Sequence, residues 1–145
     1  MATVFDAAAY ILRKTGEITT MRLQKLAYYC QAWSLVWDDA PLFNERIEAW
    51  TFGPVIPNLY KRHKGMFVIK ECLDGNTINL SSIQKETIDA VLSFYGKKHT
   101  QWLVDLSHSE DPWKKAREGL APTEHSNNEI TLESMKEYYT RISLK

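Results

Sequence analysis

The longest run of patterned hydrophobicity lies between Ile18 and Asp38. Leu23, Leu26, Ala27, Cys30, Trp33, Ser34 and Trp37 recur at helical spacing, with Thr19 or Thr20 placed to cap the start and Pro41 beyond the end. Two tryptophans one turn apart predict a wide buried face. A shorter helix is expected over 3–14, closed near Gly16. Ser81 and Gln84 form a capping-box pattern that opens a helix bearing Ile83, Ile88, Val91, Leu92 and Tyr95, with Gly96 at its end. Thr100 to Ser107 continues as a short helix with Trp102, Leu103 and Leu106. Asp111-Pro112 reads as an N-cap followed by proline at the first helical position, and that helix stops by Gly119. Residues 120–130 read as a polar loop, after which Thr131 caps a last helix with Leu132, Met135, Tyr138, Tyr139 and Ile142.

Two stretches break the helical period. Residues 46–52 alternate imperfectly, with Ile47 and Ala49 on one side, and predict a short strand. Gly53-Pro54 is expected to turn the chain, and Pro57 to open a helix with Leu59 and Tyr60 that ends at Gly65. Asp74-Gly75, between two β-prone runs, predicts a hairpin over 66–80. The expected fold is mainly α (α+β): a compact bundle of about six to seven helices with a small antiparallel β element, in one domain over residues 1–145.

Composition narrows the functional classes. Lys and Arg number 18, Asp and Glu 18, so no charge excess seeks a polyanion, and direct nucleic-acid binding is not expected. The one dense basic spot, Lys61, Arg62, His63 and Lys64, reads as a solvated helix end. Two cysteines, Cys30 and Cys72, are too few for a disulfide scaffold and read as buried thiols of a reducing compartment. No stretch approaches the roughly 20 apolar residues of a membrane span, and no secretory signal opens the chain, so a cytoplasmic protein away from membranes is expected.

Catalytic and cofactor chemistry has little footing. Four histidines, His63, His99, His108 and His125, lack metal-ligand spacing, and no nucleotide-binding glycine loop is present, so no cofactor or metal is implied. Ser107-His108-Ser109-Glu110-Asp111 gathers acid–base groups, but Asp111 and Glu110 also suit a helix start, and the expectation is not an enzyme. Aromatic residues make up 12% of the chain, more than a small core needs, so any exposed members are candidate interface anchors.

Three ordered blocks carry a resemblance. Leu23-Gln24-Lys25-Leu26-Ala27-Tyr28-Tyr29-Cys30-Gln31-Ala32-Trp33 is followed by Pro41-Leu42-Phe43, Glu48-Ala49-Trp50, Gly53-Pro54-Val55, Pro57 and Leu59-Tyr60. Then come Leu106-Ser107-His108, Glu110, Pro112-Trp113 and Ala116-Arg117, and a closing helix with Met135 and Tyr138-Tyr139. From about Val4 to Ile142 the chain resembles the SocA-like antitoxin family, or Panacea domain, which includes phage-associated proteins. The resemblance implies a mainly helical bacterial, prophage or phage protein, encoded beside a toxin and neutralising it by direct contact. It also implies an alternative, an adaptor that delivers the toxin to an AAA+ protease such as ClpXP, and a further one, a phage interaction protein without a paired toxin. Longer members carry an added domain, which is not expected within these 145 residues, and Ala27 and Cys30 are small where relatives often have bulkier groups.

A neutral, aromatic-rich chain with few catalytic motifs is better equipped to bind a protein than to run a reaction. The candidate partner-binding residues are Trp50, Phe52, Gly53, Pro54, Pro57 and Tyr60 in the turn, and His108, Glu110, Trp113 and Arg117 in the later segment.

Overall fold

A computed structural model describes residues 2–72 and 74–143. In chain order the elements are α1 (Val4–Thr15), β1 (Ile18–Thr19), α2 (Thr20–Trp37), β2 (Ile47–Trp50), β3 (Gly53–Val55), α3 (Pro57–His63) and β4 (Val68–Ile69). A short 3-10 turn (Thr77–Asn79), α4 (Ser82–Tyr95), α5 (Thr100–Ser109), α6 (Asp111–Ala116), β5 (Glu129–Ile130) and α7 (Leu132–Ser143) follow. The mainly helical expectation holds, with seven helices among the described residues.

The central helix is α2. Thr19 caps it by accepting from the Arg22 backbone N–H, and every residue from Leu23 to Leu35 is buried. A helix buried on all sides shows no single apolar stripe; α1, α4, α5 and α7 pack around this one. Its polar side chains therefore need partners inside the protein. Gln31 accepts the backbone N–H groups of Leu42 and Phe43 at 2.7 and 3.2 Å and donates to the Phe43 carbonyl at 2.8 Å. Gln24, two turns earlier, does the same for Ile56, accepting its N–H at 2.8 Å and donating to its carbonyl at 3.3 Å. Two glutamines thus pin two irregular segments to one helix.

The caps read from sequence at Thr19, Ser81 and Thr131 form as expected. Four other expectations need correction. Residues 66–80 make no hairpin: β4 pairs antiparallel with β1, Ile18 opposite Ile69, and Thr77–Asn79 is a helical turn. The reason is local competition. The Asp6 carboxylate accepts the Asn76 backbone N–H at 2.8 Å and the Asn79 amide at 3.2 Å, and Gly75 packs on the Phe5 carbonyl, so α1 claims the second arm. Second, Gly53-Pro54 is strand rather than turn: β2 and β3 pair with Trp50 opposite Gly53, leaving Thr51 and Phe52 as the turn. Third, residues 120–130 include β5, which pairs with the other side of β2. Pro54 is tolerated because β3 is an edge strand. Fourth, Asp111 is helical, not the cap; its carboxylate accepts from Arg141 at 3.0 Å.

Candidate functional site: the Lys25 cavity

The strand pair, α2 and α3 line an open-mouthed cavity of about 390 Å³, bordered by Trp50, Thr51, Phe52, Val55, Tyr60, Met21, Thr20, Gln24, Lys25, His63 and His125. Three of the expected partner-binding residues thus share one wall. Trp50 and Tyr60 meet edge to face at 5.0 Å, and the Trp50 indole donates to Glu48 at 2.9 Å. Phe52, at the tip of the turn, is 63% exposed.

The floor of the cavity was not anticipated. Lys25 is 1% exposed, and its Nζ donates to the Pro54 carbonyl at 3.1 Å. An ammonium has three donors. Among the described residues no carboxylate lies within ion-pairing distance of it. Burial without a counter-charge disfavours the charged form, and the amine is pulled down to about 7. Gly53 makes this packing possible. Its φ is 113°, and a Cβ there would sit 2.7 Å from Lys25 Cε and 2.9 Å from Ser107 Oγ. Gly53 and Pro54 are therefore the cover of Lys25 rather than an exposed contact surface.

His63 flanks the lysine. Ile56 N–H fixes which end of the Gln24 amide is oxygen, so Gln24 Nε2 faces His63 Nε2 at 2.9 Å and donates to it. That leaves the ring proton on Nδ1. Burial first, and Lys25 second, hold this histidine below its usual range. His63 was expected at a solvated basic end; it is buried, while Arg62 pairs with Asp74.

The later segment braces the same turn from behind. Trp113 donates to the Trp50 carbonyl at 2.7 Å, and Arg117 donates to the Ala49 carbonyl at 3.0 Å and to loop carbonyls of Ala121 and Glu124. His108 stacks on Trp113 at 4.1 Å; its Nε2 is buried without a partner, and burial lowers its basicity. Trp113 and Arg117 are buried and hold the turn in place. Pro57 occupies the first turn of α3, where it starts the helix.

Glu110 belongs elsewhere. Its Oε1 accepts from Tyr29 at 2.7 Å and from Tyr139 at 2.8 Å, and Tyr28 in turn donates to the Tyr139 hydroxyl at 3.1 Å. Burial raises its pKa, and the two tyrosine hydrogen bonds oppose that rise. His108 and Glu110 are thus parted into two environments. Ser107 and Ser109 donate back to Val104 and Leu106 carbonyls. The acid–base cluster read from sequence is dispersed.

On the Glu110 side an open groove of about 770 Å³ runs between α2, α4, α5 and α7, lined by Trp33, Trp37, Phe94, Tyr95, Trp102 and Glu110 among others. Trp33 and Trp37 stack at 5.0 Å, and Trp37 is half exposed. Among the described residues no helix is long and apolar enough to cross a membrane.

Sequence reasoning missed Lys25, Gln24 and His63. A signal existed: Lys25 is the one charged residue from Leu23 to Trp37, on a helix apolar nearly all round.

Comparison with known proteins agrees with the resemblance. The family model described as "Antitoxin SocA-like, Panacea domain" matches residues 23–114, more than half of the chain and including Lys25 and the aromatic turn. The chain is 35% identical over 109 residues to a protein named "Antitoxin SocA" from Caulobacter vibrioides (strain NA1000 / CB15N), a match covering 66% of this chain and 58% of that relative's length. No solved structure matches. The chain belongs to the SocA-like antitoxin family, the Panacea domain.

Proposed function

We propose that this protein is an antitoxin that neutralises a toxin encoded nearby by binding it directly. The observation that carries this reading is the family match over residues 23–114. The exposed face it offers is the rim of the Lys25 cavity. Phe52 stands out at the turn, and Trp50 and Tyr60 are half-buried beside it. Aromatic anchors around a pocket are what concentrates binding energy in protein interfaces. The roles of Gly53, Pro54, Pro57, Trp113 and Arg117 in such an interface are indirect, since they shape and hold the turn.

Co-expression tests the reading. The adjacent open reading frame is expressed alone and then with this protein, scoring growth and co-purification. Toxicity of the neighbour alone, with rescue and a stable complex in the pair, is the expected result. Rescue with rapid, protease-dependent loss of the toxin assigns the adaptor role instead. A harmless neighbour overturns the pairing.

A further inference from the structure

Lys25 is a buried amine on the floor of a cavity, with one hydrogen-bond acceptor and no counter-ion among the described residues. A buried ammonium without a carboxylate to pair with is costly, because the fold compensates its charge with one carbonyl alone. The cavity wall above it is aromatic and apolar, contributed by Met21, Trp50, Phe52, Val55 and Tyr60. The ionisable groups that line it with Lys25 are His63, His125 and the Tyr60 phenol, and no Asp or Glu lines it among the described residues. Glu48, which approaches through Trp50, is already paired with Arg46 at 2.9 Å.

We propose that the Lys25 cavity is a binding pocket for a carboxylate carried on an apolar or aromatic body. The ammonium takes the carboxylate at the floor, Thr51 lines the approach, and Trp50, Phe52 and Tyr60 clasp the body. A bound carboxylate supplies the partner that the fold withholds, and charge-assisted hydrogen bonds of this kind are the stronger class. Such a group comes from one of two sources: a free organic acid, or an acidic residue that a bound toxin presents. The pocket itself does not depend on the toxin reading.

Protonation gives the proposal a signature. The free amine is half protonated near 7, and the site needs it charged. Binding then takes up a proton, and the apparent affinity falls by about tenfold per pH unit above that value until the bound amine itself titrates. The neighbours facing Lys25 are His63 on α3 and His108 on α5, both held below the ordinary histidine range, with Arg117, just past the end of α6, beyond His108, and His125 on the cavity wall. Above pH 7.5 those two histidines are neutral and do not contribute to the slope.

The experiment is calorimetric titration of the purified full chain with phenylacetate between pH 7.5 and 9.5, with phenylacetamide as the uncharged control. Saturable binding of the acid is expected, weakening with pH as above, with the amide and the Lys25→Met variant each at least tenfold weaker. Thermal melting of Lys25→Met confirms that the variant is folded. No saturable binding of phenylacetate, equal binding of the amide, a flat pH profile, or undiminished binding by folded Lys25→Met overturns the proposal. Two further outcomes, both supporting the pocket, tell the sources apart. Displacement of a co-purified toxin by phenylacetate assigns the acid to the toxin; uptake of phenylacetate by an undisturbed complex assigns it to a small molecule. A harmless neighbour sinks the antitoxin reading and leaves the titration valid.

Discussion

Lys25 and Glu110 are both buried ionisable groups with no counter-charge among the described residues, and the protein treats them oppositely. Glu110 receives two tyrosine hydroxyls, one of them itself supported by a third tyrosine. That chain of donors solvates the carboxylate from within the fold and ties α2 and α7 to the start of α6. Lys25 receives one backbone carbonyl and faces a cavity. A charge that is solvated internally is structural. A charge with donors to spare on the floor of a pocket is open to a partner from outside the chain.

The largest break in that comparison is Lys25→Met. In the folded state the amine is near 7 against 10.5 in the open chain, so between pH 7 and 10.5 the unfolded state keeps a proton that the folded state gives up. That difference corresponds to a cost on the order of 5 kcal/mol. It is fully present below pH 7 and relieved as pH rises from 7 to 10.5. Methionine fills a similar volume without the charge but leaves the Pro54 carbonyl unpaired, worth about 1–3 kcal/mol. Lys25→Met is therefore expected to stabilise the protein by roughly 2–3 kcal/mol at pH 6.5, with the gain gone by pH 10. Urea unfolding at the two pH values checks it. A destabilised variant at pH 6.5 would show that Lys25 holds the fold together.

Tyr139→Phe sharpens the other side. It strips one donor from Glu110 and the acceptor from Tyr28, in a position with no access to water. A loss of about 2 kcal/mol is expected. The Glu110 pKa should also rise further, because the Tyr139 hydrogen bond is one of the two that lower it. Stability of the variant then falls more steeply than wild type as pH climbs above 4.5, the reverse of the Lys25 trend. Unchanged stability across that range would mean that the tyrosine hydroxyls are not what solvates the carboxylate.

The contrast also marks what the sequence could and could not disclose. Helices with local signals, such as the Ser81–Gln84 capping box or Pro57 at a first turn, were legible because the chemistry lies within four residues. The hairpin at 66–80 failed because Asp6, some seventy residues away, competes for Asn76 and Asn79. The candidate segments at 50–60 and 108–117 do meet, through Trp113 and Arg117 on the backbone of β2. Glu110 departs from them, since one residue beyond the end of α5 the chain turns it toward α7. Lys25 sat within a helical pattern; that no carboxylate meets it among the described residues is a fact of tertiary packing that no spacing encodes.

The smallest effect on stability is expected at the tip of the turn. Phe52 is largely exposed and turns the chain between β2 and β3. Its ring removes little apolar surface from water in the free protein, so Phe52→Ala should change unfolding stability by less than about 0.5 kcal/mol. The same ring is positioned to be covered when a partner seats over the cavity. If it is an anchor, its loss weakens the complex by about 2 kcal/mol, near thirtyfold. Surface binding assays on a co-purified partner, beside a melt of the free variant, separate the two quantities. A large affinity change with an unmoved melt places the interface on the Lys25 side of the molecule. An unmoved affinity shifts attention to the groove between Trp37, Phe94 and Trp102, where the buried charge already has its donors and apolar contact alone would have to supply the binding.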